Sequence, residues 1–257
     1  MSDLPLLTSP AIPARFHHGF TSRAGGVSAP PFDSLNLGLK WGDARENVLE
    51  NRRRLLAATR ASVLYLAAQV HGARIVHVRA GDDPQQIARE QADGVCSDVP
   101  GIAVGVYVAD CVPALFADSR TGAYAAVHAG WRGTIAGVLP AAVSALAGAF
   151  GANPAALRVA LGPAIGPCCF EVGPEVAAAF EAALPGGGTV LTAPGRKPHV
   201  DLRRAQRLQL AAAGIPADAV EAVDACTKCD PAGRFYSYRR DADRTGQHVG
   251  FIGLRDP

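Results

Sequence analysis

The sequence has few aromatic residues and almost no net charge, and each shortage argues against a class of partner. Aromatic residues make up 6% of the 257 residues, which argues against the stacking surface that single-stranded nucleic acid requires. Lysine and arginine number 25 and aspartate and glutamate 23, so the formal charge of +2 gives no basic surface for nucleic acid or anionic lipid. We expect small-molecule substrates, with no nucleic-acid partner and no membrane partner.

The first residues do not look like a secretory signal. They contain an acid at Asp3, no basic start, and prolines where an apolar run would lie. Residues 133–157 carry no charge over a length that can cross a bilayer, but they are mostly alanine and glycine. Alanine contributes little to membrane insertion, and Pro140, Asn153 and Pro154 interrupt the run. We therefore expect a buried helix here and a cytoplasmic protein.

The sequence has ample apolar material for one large core. Hydrophobic residues make up 49%, and 28 glycines and 19 prolines are typical of a compact α/β protein with many tight turns. No repeat, linker or composition shift marks a boundary. The mixed order of strands and helices favours a single α/β (α+β) domain over residues 1–257, with mixed β-sheets covered by helices. Residues 1–14 are expected to be a poorly ordered N-terminal segment.

Local apolar patterns predict the individual elements. The predicted helices are residues 43–60, capped by Asp43, and residues 174–183 and 202–213. The predicted strands are residues 63–69, 75–78, 101–108 with a continuation over 114–117, 123–127, 157–161, 220–223 and 249–254.

The polar residues that point most directly to chemistry are His71, Cys111 and His128. Each is predicted at a strand end beside glycine or aspartate, where a side chain can face a cleft. Two imidazoles and a thiolate form a catalytic zinc set that leaves a fourth position open. The spacing matches no short zinc motif, so two alternatives stay open. One is a buried cysteine with hydrogen-bonded loop histidines, and the other is a Cys111–His128 nucleophilic pair oriented by Asp110 or another polar group.

Two arginines and a C-terminal aromatic segment are candidates for substrate contacts. Arg23 in TSRAGGVS and Arg132 in HAGWRG can each hold an anion, although a surface ion pair is the ordinary role of a lone arginine. The segment FYSYRRD brings Tyr236, Tyr238 and Arg239 close together. Such a group can stack on a flat ring, although an aromatic edge strand is the commoner explanation.

Four of the six cysteines form two close pairs, Cys168 with Cys169 and Cys226 with Cys229. A protein of this size in a reducing compartment needs no disulfide framework. Asp230 and a proline follow the segment CTKC, which indicates a loop rather than the start of a redox helix. A four-cysteine zinc site is an alternative, disfavoured because adjacent cysteines are awkward joint ligands.

Nine segments in chain order resemble the YfiH, or laccase-domain, family of bacterial proteins. The resemblance covers nearly the whole chain and rests on TSRAGGVS, NLGLKWGD, ENRRRL, QVHGARIVHV, ADGVCSD, VADCVPALFAD, AAVHAGWRG, GPAIGPCCFEVG and FYSYRRDADRTGQHVGFIGL. It implies a single-domain α/β fold with mixed sheets. It also implies a zinc ion held by His71, Cys111 and His128.

The resemblance implies a zinc-dependent purine nucleoside phosphorylase that cleaves adenosine, inosine and methylthioadenosine with phosphate and also deaminates adenosine. The older family assignment, a copper-dependent polyphenol oxidase or laccase, is an alternative. Laccase chemistry needs many imidazoles, whereas this chain has seven histidines and no His-x-His pair. Copper can still enter such a site in vitro, because copper(II) outcompetes zinc at nitrogen and sulfur ligands.

Each reaction predicts particular roles. In deamination, zinc lowers the pKa of its bound water for attack on C6 of the purine, and Asp110 or Glu171 would move protons. Phosphorolysis needs an anion pocket, with Arg23 as the first candidate and Arg239 as the second. Arg132 and Tyr238 are the other predicted substrate contacts.

Two further alternatives follow from the same residues. A Cys–His hydrolase or deamidase that edits peptidoglycan precursors would use Cys111 and His128 as catalytic residues. A non-catalytic, zinc-stabilised protein would close the metal site with a fourth ligand such as Cys96. Lys40 and Trp41 stand where many relatives carry a histidine, so substrate preference is expected to differ here. We expect a monomer or a weak homodimer.

Overall fold

Two β-sheets, with helices outside them, form the framework of the fold. The computed structural model describes residues 4–256. Within this range the strands are β1 (Leu6–Leu7), β2 (Phe16–Thr21), β3 (Leu64–Leu66), β4 (Ile75–His77), β5 (Gly94–Ser97), β6 (Ala103–Val108), β7 (Val112–Ala117), β8 (Tyr124–Ala129), β9 (Arg158–Leu161), β10 (Val190–Leu191), β11 (His199–Val200), β12 (Val220–Ala222) and β13 (His248–Leu254). The helices are α1 (Arg45–Thr59), α2 (Pro84–Ile87), α3 (Trp131–Ile135), α4 (Val138–Phe150), α5 (Pro174–Ala183), α6 (Leu202–Ala212) and α7 (Tyr238–Asp241), with 3₁₀ turns at Pro154–Ala156, Ala217–Ala219 and Ala242–Arg244.

Both large sheets are mixed. The five-stranded sheet has the order β1-β2-β13-β6-β3, antiparallel except for the parallel pair β3–β6. The six-stranded sheet has the order β12-β9-β7-β8-β5-β4, with parallel pairs at its two edges, β12–β9 and β4–β5. Strands β10 and β11 form a separate antiparallel pair. The predicted α/β single domain with mixed sheets is confirmed.

The two sheets pack against each other and bury both faces of their central strands. Successive side chains of a strand point to opposite faces. Along β7, Ala114 and Phe116 therefore face the helices, whereas Leu115 and Ala117 face the five-stranded sheet. Helices α4, α5 and α6 cover the outer face of the six-stranded sheet, and α1 covers the five-stranded sheet through Leu55. Burial on both faces explains why these strands read as continuous apolar runs.

Three local predictions are wrong. Residues 114–117 do not continue the strand over 101–108, because β7 belongs to the other sheet. The helix expected over 133–157 is divided into α3, α4 and a 3₁₀ turn, and Gly137 between α3 and α4 has a left-handed φ of 77°. Asp43 does not cap α1. Ala44 is the N-cap, and the Asp43 carboxylate accepts hydrogen bonds from Ser28 and Asn36 instead.

The N-terminal segment is part of the fold. Residues 1–3 of the segment expected to be poorly ordered lie outside the described range. Leu6 and Leu7 pair with Thr21 and Phe20, and Ile12 is buried in the core between the sheets. The expectation for residues 1–14 is therefore wrong for residues 4–14. Within residues 4–256, no helix combines the length and apolar character needed to cross a bilayer.

His248 on β13 is a buried imidazole. Its ring packs against Phe235 and Tyr236, and its Nε2 accepts a hydrogen bond of 2.7 Å from the Tyr236 backbone N–H. Burial lowers the pKa of His248 from its usual 6.5 to about 3. The folded protein therefore holds this ring neutral at physiological pH.

We predict that His248 makes stability depend on pH. Below the unfolded-state pKa of 6.5 the unfolded chain binds one proton that the folded chain does not, until the folded pKa of about 3 is reached. The contribution is full above pH 6.5 and declines by roughly 1.4 kcal/mol per pH unit on acidification. Urea unfolding should show a steeper acid loss of the free energy of unfolding for the wild type than for His248→Asn. Parallel pH profiles would contradict the prediction.

Candidate active site

Two loops and the end of one strand bring His71, Cys111 and His128 together. His71 follows β3, Cys111 lies in the connection by which the chain crosses from β6 to β7, and His128 lies in β8. One ligand atom from each residue lies within 4.8 Å of the others, and the imidazole centroids of the two histidines are 4.8 Å apart. The convergence expected from the sequence is thus present in the tertiary structure.

The Asp93 carboxylate holds this group in place. It is fully buried, and one oxygen contacts Nδ1 of His128 at 2.8 Å. The backbone N–H groups of Val70, His71 and Gly72 donate to the same carboxylate at 3.1, 2.9 and 2.7 Å. A single side chain therefore orients one imidazole and fixes the loop that carries the other. The sequence left the group that orients His128 open between Asp110 and another polar residue, and in the structure Asp93 contacts this ring.

Burial and mutual contacts shift the pKa values of the residues in this group. Burial would raise the pKa of Asp93, but hydrogen bonds from His128 and the Gly72 N–H outweigh it and hold this pKa below its usual value. Burial lowers the pKa of His71, and the neighbouring His128 adds to the effect. For His128, burial lowers the pKa, whereas interactions with Cys111 and Asp93 together raise it to about 9.

The arrangement fits a metal ion with nitrogen and sulfur ligands. The contact with Asp93 occupies Nδ1 of His128 and leaves Nε2 available as a ligand. Gly130 keeps the space beside the ligands clear, since a Cβ there would lie 2.7 Å from the Cys111 Sγ and 3.2 Å from the His71 Nδ1. Two imidazoles and a thiolate with no fourth protein ligand are a donor set typical of catalytic zinc. Cys96, which the sequence offered as a fourth ligand, is buried in the core on β5 and does not belong to the cluster.

A cleft of about 980 Å³ opens beside these residues. Apolar side chains of α1 and β3 form part of its wall. The cationic and aromatic residues that also line it are Lys40, Trp41, Arg52, Tyr107, Trp131, Arg132, Phe170, Tyr238 and Arg239. The volume is in the range of small-molecule sites.

Two of the predicted anion-binding arginines line the cleft. The Arg132 guanidinium lies over the Trp131 ring at 4.3 Å and has no hydrogen bond or ion pair with any residue in the described part of the chain. Arg239 lies over the Phe170 ring at 5.2 Å and donates through Nη1 to the Glu171 carbonyl at 2.6 Å. Both guanidinium groups can therefore bind an anion in the cleft.

The first candidate for phosphate, Arg23, is elsewhere. Its Nε donates to the Asp33 carbonyl at 2.6 Å, and its Nη2 pairs with the Asp33 carboxylate at 2.9 Å. Its guanidinium lies over the Tyr236 ring, and it does not line the cleft. The structure therefore places Arg23 apart from the cleft, with a counter-ion from its own loop.

Neither predicted proton carrier has a free carboxylate in the cleft. Both oxygens of the Asp110 carboxylate are occupied, one by the Thr227 hydroxyl at 2.5 Å and the other by the Arg239 N–H at 2.6 Å. Glu171 is exposed, pairs with Lys197 at 3.2 Å and does not line the cleft. We therefore correct both assignments. Asp110 positions Arg239, and Glu171 contributes only its backbone carbonyl.

Tyr238 and Trp41 form an aromatic surface on the cleft. Their rings stack at a centroid distance of 5.7 Å and an angle of 24°, and Tyr238 is 53% exposed. The Lys40 ammonium lies 5.2 Å from the Trp41 ring centroid. Tyr238 begins the short helix α7, so the alternative of an aromatic edge strand is wrong for this residue.

Comparisons with known proteins match nearly the whole chain, although the family model and the relatives are named for different activities. The family model described as multi-copper polyphenol oxidoreductase laccase matches residues 17–255. A purine nucleoside phosphorylase of Pseudomonas aeruginosa is 44% identical over 247 residues, covering 95% of this chain and 96% of that protein. The purine nucleoside phosphorylase YfiH of Escherichia coli is 40% identical over 91% of this chain and 92% of its own length. The crystal structure of YlmD from Geobacillus stearothermophilus has a TM-score of 0.87 at 36% identity, covering 96% of this chain and 94% of that one.

We predict that Asp93→Asn weakens metal binding by roughly 10- to 100-fold, because the uncharged amide cannot orient His128 as the carboxylate does. Zinc affinity is measured by competition with a chromogenic chelator. Asp118→Asn is the matched control, since Asp118 is also a buried carboxylate but bonds Arg120 and Thr121 in the turn between β7 and β8. Equal affinities of the two variants would contradict the role given to Asp93.

Proposed function

Since the chain belongs to the family described as multi-copper polyphenol oxidoreductase laccase, and its relatives are named purine nucleoside phosphorylases, we propose that it is a zinc-dependent purine nucleoside phosphorylase. The proposed substrates are phosphate with adenosine, inosine or methylthioadenosine, and the proposed metal ligands are His71, Cys111 and His128. The proposal draws on the names of the relatives and on one observation above all: a cluster of two imidazoles and a thiolate lies beside cationic side chains in a single cleft. We also propose a cytoplasmic monomer or weak homodimer.

The charge of the cleft suits phosphate. Lys40, Arg52, Arg132 and Arg239 line it, and Asp110 is the only carboxylate among its described lining residues. Four cationic side chains against one carboxylate leave the cleft with an excess of positive charge. We assign phosphate to Arg132 and Arg239, whose planar guanidinium groups bind phosphate oxygens in pairs.

The aromatic residues suit the purine. The exposed face of Tyr238, backed by Trp41, and the ring of Phe170 offer flat apolar surfaces next to the cations. A purine packed on such a face loses its contact with water, and the ribose then lies between the base and the phosphate. Lys40 and Trp41 contribute to this surface. We therefore assign the difference in substrate preference expected at this segment to recognition of the base.

Phosphorolysis needs the reactants held in line. A phosphate oxygen forms a bond to C1′ while the bond from C1′ to the base nitrogen breaks, and the base leaves with the electron pair. Arg132 and Arg239 hold the attacking phosphate, and Asp110 fixes Arg239 through its backbone N–H. Asp93 keeps His128 and the His71 loop in their places. A zinc ion bound there would supply a Lewis acid in the same cleft.

Adenosine deamination is proposed only as a side activity of the same cleft. It needs a group that delivers a proton to the departing amine. Asp110 is engaged by two donors, and Glu171 lies outside the cleft. The lack of a free carboxylate among the described lining residues favours phosphorolysis as the main reaction.

A second candidate function is a thiol hydrolase or deamidase. The ligand atoms of Cys111 and His128 lie within 4.8 Å of each other, and Asp93 contacts the far nitrogen of the imidazole. This is the order of a cysteine–histidine–carboxylate triad. His71 distinguishes the two functions, because a metal site needs it as a ligand and a triad does not.

We predict that His71→Ala abolishes zinc binding and the phosphate-dependent release of base from adenosine, inosine and methylthioadenosine, because two ligands remain where catalytic zinc sites use three. Free base, ammonia and bound metal are measured on the same preparations. His77→Ala is the control, since His77 lies on β4 away from the cluster and packs on Phe150. Full phosphate-dependent base release by zinc-free His71→Ala would overturn the zinc requirement. No base release from the zinc-loaded wild type, combined with alkylation of Cys111 in the metal-free protein, would overturn the phosphorylase and support the hydrolase.

We predict that Arg132→Ala raises the KM for phosphate by roughly 10- to 100-fold, the loss of a charge-assisted hydrogen bond, with a smaller effect on the KM for the nucleoside. Initial rates are measured against phosphate at saturating inosine. Arg23→Ala should leave the KM for phosphate unchanged, because Arg23 is paired with Asp33 outside the cleft. The reverse pattern would restore Arg23 as the phosphate ligand.

A further inference from the structure

The four cysteines that the proposed function does not use form a second cluster. The sulfur atoms of Cys168, Cys169, Cys226 and Cys229 all lie within 4.8 Å of one another, and those of Cys168 and Cys229 are 3.6 Å apart. A tetrahedral zinc with Zn–S bonds of about 2.3 Å has sulfur atoms roughly 3.8 Å apart. The cluster is therefore close to the size that one ion requires.

Neighbouring parallel strands bring the two cysteine pairs together. Cys168 and Cys169 lie in the loop after β9, and Cys226 and Cys229 lie in the loop after β12. Strands β9 and β12 are parallel, so both loops leave the same edge of the sheet, and a bridge between Ala164 and Cys226 continues the pairing. The turn at Cys168 and Cys169, closed by the Cys169 N–H on the Gly166 carbonyl, allows both sulfur atoms to approach the opposite pair.

A backbone N–H group donates to one of the sulfur atoms. The Gly166 N–H lies 3.2 Å from the Cys226 Sγ. Hydrogen bonds of this kind stabilise a thiolate. The CTKC segment therefore presents a preorganised thiolate, the form in which cysteine binds metals.

The surroundings also compensate negative charge. The Arg203 side chain is mostly buried and donates to the carbonyls of Ala164 and Ala225, one in each cysteine loop. Its positive charge interacts with both Cys226 and Cys168. Four thiolates around a divalent ion carry a net negative charge, so a buried cation beside them is favourable.

We propose that Cys168, Cys169, Cys226 and Cys229 bind a structural zinc ion that ties the β9 and β12 loops together. Four sulfur ligands in tetrahedral arrangement are typical of structural zinc or of iron with sulfide. The compact spacing favours a single ion over a multinuclear cluster, which needs room for several metals and sulfides between the cysteines.

The proposed zinc stabilises one wall of the cleft. The β9 loop carries Ile165 and Phe170, which line the cleft, and the β12 loop carries Thr227, which donates to Asp110. Arg240 also donates to the carbonyls of Thr227 and Lys228 and so links this loop to α7. The zinc is distinct from the ion proposed at His71, and it does not depend on the proposed function.

The test counts metal ions by site. Protein purified from zinc-containing medium under reducing conditions, without a metal-affinity tag, is analysed by elemental mass spectrometry. Wild type should hold two zinc ions per chain, Cys226→Ser/Cys229→Ser one, and His71→Ala one. Cys96→Ala, which removes a cysteine outside the cluster, should keep both. The double variant should also melt at a lower temperature than the wild type.

Cobalt gives a readout that does not depend on activity. The His71→Ala protein with cobalt(II) in place of zinc should show the strong sulfur-to-metal absorption of a four-thiolate site, and this absorption should vanish when Cys226→Ser/Cys229→Ser is added. One zinc per chain in the wild type, with none retained by soluble, folded His71→Ala, would overturn the proposal. A Cys168–Cys229 disulfide in protein kept under reducing conditions would also overturn it, as would stoichiometric iron. Failure of the phosphorylase assay leaves these metal counts unaffected.

Discussion

The buried Asp93 carboxylate is the charge on which the candidate site depends. It is fully buried and holds four N–H contacts, three from the backbone of the His71 loop and one from the His128 ring. A buried charge that loses its partners costs about 3–5 kcal/mol, so the carboxylate and the loop that surrounds it stabilise each other. The same contacts set which nitrogen of His128 faces Cys111. The order of the site and the folding of the His71 loop therefore rest on one side chain.

Backbone conformation shows that the site is held by its surroundings rather than by local preference. His71 and Asp110 have positive φ values of 60° and 88°, a region that costs non-glycine residues about 1–3 kcal/mol. Asp93 compensates at His71, and Thr227 with the Arg239 N–H compensates at Asp110. Each strained position is thus fixed by contacts from a distant part of the chain. Such positions are common where a fold places functional groups.

The two-sheet core explains how residues so far apart in sequence come together. The chain passes from β6 in one sheet to β7 in the other, and Cys111 lies in this crossing. His128 lies in β8, the strand paired with β7, and Asp93 immediately precedes β5 on its other side. The pairing of β12 with β9 in the same sheet brings Cys168, Cys169, Cys226 and Cys229 to one edge of that sheet. One sheet therefore positions both sulfur-containing clusters.

By itself the sequence determined the class of fold, most of the elements and the three residues of the cluster His71, Cys111 and His128. Apolar periodicity and long matching segments are local properties of the chain, which is why α5 was placed at its observed bounds and α6 within one residue. Tertiary structure decided the pairing of charges. Asp93, Asp33 and Lys197 are ordinary charged residues in the sequence. In the fold, Asp93 orients His128, Asp33 pairs with Arg23, and Lys197 pairs with Glu171. Charge pairing depends on distance in space, which spacing along the chain does not fix when the partners come from different strands and loops.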